Sequence, residues 1–202
     1  MNPPSSHEPG KKQSAKKPGS ARTTILETAF DLFSQRGYSG VGIQEVCTAS
    51  GITKPTLYYH FTNKEGLLAA VQSLVSEPLL QELEGVARAT GDVVMDIRRV
   101  IGFYRSYYQG HPREYRWFWG SIMAPSESLQ RQSIEAFRKR HETLLVSFFT
   151  RLSEFHGNIR GKELNLALAL PGIMNGYLFS GHDMPDSWVY QMAQHFLYGI
   201  FS

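Results

Sequence analysis

The sequence predicts an all-α protein, and three observations carry that reading. Apolar residues recur three and four positions apart from Ala21 to the chain end, the spacing that lines up side chains on one helix face. Glycine, proline and capping residues cut this pattern at intervals, as helix ends require. Two of the resulting segments are short and meet at a glycine-containing turn, and longer ones follow. With 202 residues, 42% of them apolar, the chain can bury a sizeable core and is not disordered throughout. The single cysteine, Cys47, excludes a disulfide scaffold and a multi-cysteine zinc site; on the apolar face of a short helix it reads as a small buried hydrophobe.

Residues 1–20 form a separate region. They contain four prolines and no large apolar residue after Met1, so they have nothing to bury and should be a disordered basic tail. Lys11, Lys12, Lys16 and Lys17 against Glu8 account for the whole net charge of +3, because basic and acidic residues balance over the rest of the chain. Such a tail either solubilises the protein or serves as a polycationic arm for nucleic-acid phosphates. It lacks the apolar run of a signal peptide.

The first helix starts at Ala21. Ile25, Ala29, Leu32 and Phe33 share one face, and Arg36-Gly37 supplies a basic last turn and a C′ glycine. Ile43, Val46 and Cys47 mark a short second helix, which Ser50-Gly51 breaks. Thr53 is a good N-cap for the third, with Pro55 in its first turn and Leu57 and Phe61 facing inward. Thr62 and Glu65 have capping-box spacing for a fourth helix, although Asn63 could cap it instead. The second and third helices read as a helix-turn-helix, whose second member is the candidate major-groove reader. With Leu57 and Phe61 inward, Pro55, Thr56 and Tyr59 point out and Lys54 and Tyr58 flank them. These are suitable partners for phosphates and base edges. His60 and Lys64 follow, where a cation and helix N-terminal amides can grip phosphate.

Gly37-Tyr38, Ile43, the run from Ala49 through Ser50-Gly51-Ile52-Thr53-Lys54-Pro55-Thr56-Leu57-Tyr58-Tyr59-His60 to Phe61, and Asn63-Lys64-Glu65 together resemble the DNA-binding domain of the tetracycline-repressor (TetR) family. The resemblance covers about residues 21–68. It implies a three-helix DNA-binding domain over 21–66, followed over 67–202 by an all-helical ligand-binding and dimerisation domain. It also implies base or phosphate contacts by Gln44, Lys54, Pro55, Thr56, Tyr58 and Tyr59, with His60 and Lys64 holding the backbone. One position departs: Gly42 stands where the family commonly has Thr or Ser, so a capping hydroxyl and its phosphate contact are missing.

Leu67, Leu68, Val71, Leu74 and Val75 continue the fourth helix to Pro78, which should bend or interrupt it, as a hinge or as an ordinary helix boundary. Further helices are expected from Asp92 to about Gln109, then from the Gly110-His111-Pro112 break to about Met123, and from Ser126 to about Phe155. Two more should span Glu163 to about Ser180 and Asp186 to Phe201. The penultimate one is apolar nearly all round and carries Gly172, Gly176 and Ser180 as a ridge of small residues; the last shows a stripe of Val189, Met192, Ala193, Phe196 and Ile200. Such faces need cover. In the resembled family the last two helices pair with their twofold mates, so a homodimer through about 163–180 and 186–201 is expected, matching a pseudo-palindromic operator.

Eight of the 25 aromatic residues fall between Phe103 and Trp119. Phe103, Tyr104, Tyr107, Tyr108, Trp117 and Phe118, closed from other helices by Phe137, His141, Met174 and Tyr177, are the candidate effector pocket, suited to a flat or extended apolar molecule. Glycine-rich phosphate loops, HExxH and G-x-S-x-G are all missing from the sequence, so no catalytic residue, cofactor or metal site is assigned. The most apolar stretch, Leu164 to Phe179, is interrupted by Asn165, Pro171 and Asn175 and is too short for a bilayer. The expectation is a cytoplasmic, ligand-responsive transcriptional regulator, a repressor that a small apolar or aromatic effector releases from DNA. The alternative is a helical small-molecule-binding protein without sequence-specific DNA binding.

Overall fold

Helix ends are set by the residues that the sequence offers as caps. In the computed structural model, which describes residues 20–201 (side chains to 197), the Ser20 hydroxyl accepts the Thr23 N–H and opens α1, Ala21–Arg36. Gly37, at φ 75°, ends it and donates to the Phe33 carbonyl. α2, Ile43–Ser50, and α3, Lys54–Phe61, follow, separated by left-handed Gly51 and capped at Thr53. Asn63, not Thr62, caps α4, accepting the Gly66 N–H at 2.7 Å.

α4 runs unbroken from Lys64 to Val86, which corrects the boundary reading of Pro78. Pro78 lacks the N–H that the Leu74 carbonyl would receive. Both residues are exposed, so that carbonyl can be solvated, while buried Val71, Val75, Leu79, Leu80 and Leu83 hold the helix on both sides of the proline. The expected division between 66 and 67 falls inside this helix.

Beyond α4 the chain adds α5, Val93–Gly110; α6, Pro112–Met123; α7, Leu129–Ser153; α8, Glu163–Leu178; and α9, Asp186–Phe201. α7 begins at the cap provided by Ser128, whose hydroxyl accepts the Arg131 N–H at 3.2 Å, rather than at Ser126. α4 packs on α6 and α7, α7 on α8, and α5 on α9, around a core continuous with that of α1–α3. No strand occurs among the described residues.

The apolar stripe of α9 is buried inside the chain rather than left open. Met192, Ala193 and Phe196 are covered, α5 lies along the helix, and Phe196 meets Phe149 with ring centroids 6.1 Å apart. The Ile200 side chain lies outside the described residues. α8 is different: Leu164, Leu168, Ile173 and Tyr177 remain exposed, and a Cβ added at Gly172 or Gly176 would meet nothing within 4 Å.

Candidate functional site

Two paired threonine hydroxyls open α3, whose outward side is the candidate reading surface. Thr53 accepts the Thr56 N–H, and its hydroxyl lies 2.9 Å from that of Thr56, fixing the first turn of α3. Leu57 and Phe61 anchor the helix in the core. Lys54 and Pro55 are exposed, Thr56 is half-buried, and Tyr58 and Tyr59 are 44% and 84% exposed. An aromatic ring left that open gains nothing from the fold and is available to an outside partner. Gln44 is exposed on α2, and His60 is half-buried between the Tyr59 and Phe61 rings. The side chain of Lys64 is half-buried, its ammonium 4.2 Å from the centroid of Tyr38. Burial draws its pKa below the ordinary lysine value, while Glu65 and Glu45 pull the other way. The tail lysines, Lys11, Lys12, Lys16 and Lys17, lie outside the described residues.

The glycine at position 42 is compensated from within α2. Glu45 Oε2 accepts the Gly42 N–H at 2.8 Å and Oε1 accepts from Arg36 at 2.6 Å. These two contacts, the backbone one foremost, hold the Glu45 carboxyl below the usual carboxylate range. The helix start is thus secured with no hydroxyl facing outward.

Sequence reasoning gave neither Arg22 nor Tyr38 a role. Arg22 is exposed in the first turn of α1, with its guanidinium 5.4 Å from the Phe61 centroid. A basic residue in a first turn that carries no acid opposes the helix dipole, and that mismatch was the readable signal. Tyr38 matters as the ring that holds Lys64, a contact that only the fold creates.

The ten residues of the candidate effector pocket do not form one site. Tyr104, Phe118 and His141 come together in the core: the Tyr104 hydroxyl lies 2.8 Å from His141 Nε2, and the Phe118 and Trp119 rings face the imidazole. Burial lowers the His141 pKa to about 4 and raises that of the Tyr104 phenol. Phe103 packs on Tyr104 and Tyr107, Met174 is fully buried, and Phe137 is half-buried against the core. Trp117 points elsewhere. It stacks on Phe33, meets Phe30 edge-on, and donates its indole N–H to Gln72 Oε1 at 2.9 Å, joining α6 to α1 and α4. Tyr177 is on the outer face of α8 against Trp188, and Tyr108 holds Arg116 through its hydroxyl at 2.7 Å.

None of the ten lines the groove of about 820 Å³ that opens between α6 and α8. Its walls are Trp119, Met123 and Phe179, with polar positions at Arg116, Asn175 and Ser180, and Gly120 and Gly176 keeping it wide. Arg116 makes no ion pair with a carboxylate of the described residues. The groove therefore offers an apolar body and one available cation.

A family model described as bacterial regulatory proteins, tetR family, matches residues 25–71. Residues 25–71 thus carry the amino-terminal domain of the TetR family. Among relatives, it is 33% identical over 81 residues to the HTH-type transcriptional regulator AcrR of Shigella flexneri, a stretch covering 40% of this chain and 38% of that protein. The chain thus spans less than half the length of such relatives. Among solved structures, TetR-family PfmR from Thermus thermophilus superposes with a TM-score of 0.67 at 24% identity, over 87% of this chain and 95% of that one. AibR, solved with isovaleryl coenzyme A and operator DNA, gives a TM-score of 0.66 at 25% identity, over 87% and 97%. The TetR-family match falls on α1–α4, where the outward residues of α3 are presented. No described helix is long and apolar enough to cross a membrane, and no described group of His, Cys, Asp and Glu could hold a metal ion.

Proposed function

We propose that the protein is a ligand-responsive transcriptional repressor. It binds a pseudo-palindromic operator as a homodimer and is released by a small effector with an apolar or aromatic body. The observation that carries this reading is the two-sided placement of α6. One face, through Trp119 and Met123, walls the 820 Å³ groove. The other is fixed to the DNA-binding domain: Trp117 packs on Phe30 and Phe33, and Arg113 donates to Asp31 at 2.6 Å. A ligand that favours one position of α6 thereby favours one position of α1, and the coupling is reciprocal. The AibR structure, similar over most of the chain, holds a coenzyme A thioester and an operator together, a precedent for both partners on this architecture.

The dimer is assigned to α8 and α9, with the exposed side of α8 at its centre, Leu164 and Leu168 along one rim and Ile173 and Tyr177 along the other. On DNA, Lys54, Tyr58, Tyr59, Pro55, Thr56 and Gln44 face the groove, and Lys64, His60 and the amino-terminal lysines hold phosphates. Footprinting on the DNA around the protein's own gene tests the proposal, and no protected palindrome at moderate salt refutes it. Once an operator is in hand, Lys64→Ala should weaken binding to all DNA and reduce the salt slope by about one. Tyr59→Ala should lose more on operator than on random sequence; equal losses would remove it from base reading.

A further inference from the structure

A second cavity, of about 520 Å³, lies on the DNA-binding side of α6, between α1, α4 and the α5–α6 turn. Its walls carry four carboxylates from three helices: Glu27 and Asp31, Glu82, and Glu114. Arg113 and His111 are the basic residues facing them. Arg113 is already committed, paired with Asp31 and lying 5.0 Å over the Phe30 ring. Glu82 and Glu114 form no ion pair with the described residues. The cavity is therefore anionic, and its own arginine shows that it holds a cation against an aromatic face.

Two further features favour a cationic ligand. Tyr107, 4% exposed, forms part of the wall, yet its hydroxyl has no hydrogen-bond partner among the described residues, and its ring rests 4.9 Å from that of His111. The ring is buried, but the hydroxyl is not sealed in the core, so the cavity is where it meets a partner. Leu74 and Pro78 stand together in the wall, and the Leu74 carbonyl has no N–H from position 78 to receive. A phenol, a spare carbonyl and two carboxylates without ion pairs, over an apolar floor of Leu74, Val75 and Pro78, form an acceptor-rich cleft. It can recognise a positive charge attached to a hydrocarbon body.

We infer that this cleft is a second ligand site, specific for a small organic cation, an ammonium or amidinium on an aromatic or aliphatic body. The cation takes the place of Arg113 over Phe30 and beside Asp31. It thereby undoes the ion pair that ties α6 to α1, acting on the same junction as the α6/α8 groove but from the opposite side.

Calorimetric titration of the full chain with benzyltrimethylammonium, and separately with phenylacetate, tests this. The cation should bind with one site per chain, whereas phenylacetate, drawn to Arg116 in the α6/α8 groove, should bind independently of the carboxylates of this cleft. Glu82→Gln with Glu114→Gln should weaken the cation at least about tenfold. Glu82 is exposed and Glu114 half-buried, and neither carries an ion pair that the fold would lose, so circular dichroism should report an unchanged structure. Arg113→Ala should tighten binding by roughly fivefold by removing the internal competitor. The site is ruled out by absence of cation binding up to about 10 mM, by equal cation affinity in the double variant, by an equal loss of phenylacetate binding in that variant, or by no gain in Arg113→Ala.

Discussion

Among the described residues His141 makes one polar contact, with Tyr104, and is otherwise ringed by Phe118 and Trp119. An imidazole in water titrates near 6.5, whereas burial draws this one down to about 4. Between those values the unfolded chain takes up a proton that the folded chain refuses, so stability falls as the solution is acidified through that window and is unaffected above it. The expected slope is about 1.4 kcal/mol per pH unit. Urea unfolding at about pH 7.5 and about pH 5.5 measures it. His141→Gln, which keeps an acceptor for Tyr104, should lose most of the difference. An equally steep loss in the variant would assign the acid sensitivity elsewhere. That His141 is aromatic-lined was legible from the sequence, but its sealing in the core was not: burial depends on which helices converge, and spacing along one helix is silent on that.

α4 and α6 show where local rules held and where packing overrode them. The caps at Thr53 and Asn63, the Gly51 turn and the inward Leu57 and Phe61 were legible because each depends on a few adjacent residues. Pro78 was misleading in one of its two readings, since the apolar residues flanking it pay for a continuous helix despite the lost hydrogen bond. Pro78→Ala restores the N–H and should stabilise the protein by about 1–3 kcal/mol, measured as a rise in the urea midpoint with unchanged m-value. No rise would mean that the Leu74 carbonyl is already fully satisfied. In α6 the sequence exposed a run of aromatics without assigning faces. Trp117 and Trp119 are two positions apart, hence on opposite sides of the helix, and one serves the DNA-binding domain while the other serves the groove.

At the scale of the whole molecule, α8 keeps a broad side uncovered by the described residues. Leu168 is 52% exposed midway along α8, beside the open Gly172. Leu168→Glu should weaken self-association at least about tenfold by placing a charge in the proposed seam, and sedimentation velocity would show monomer where the parent shows dimer. Footprinting should then fail at concentrations that protect with the parent protein. An unchanged dimer would move the interface off α8. The assembly bears on α4, which runs as one rod from the end of α3 to the helices behind it. Its 23 residues span about 34 Å at 1.5 Å each. A rod of that length is a lever: a tilt of about 5° at the effector end carries the reading end some 3 Å, close to the rise of one base-pair step. Operated in mirror fashion by two subunits, it would take both heads out of register by an angular change too small to disturb the core around it.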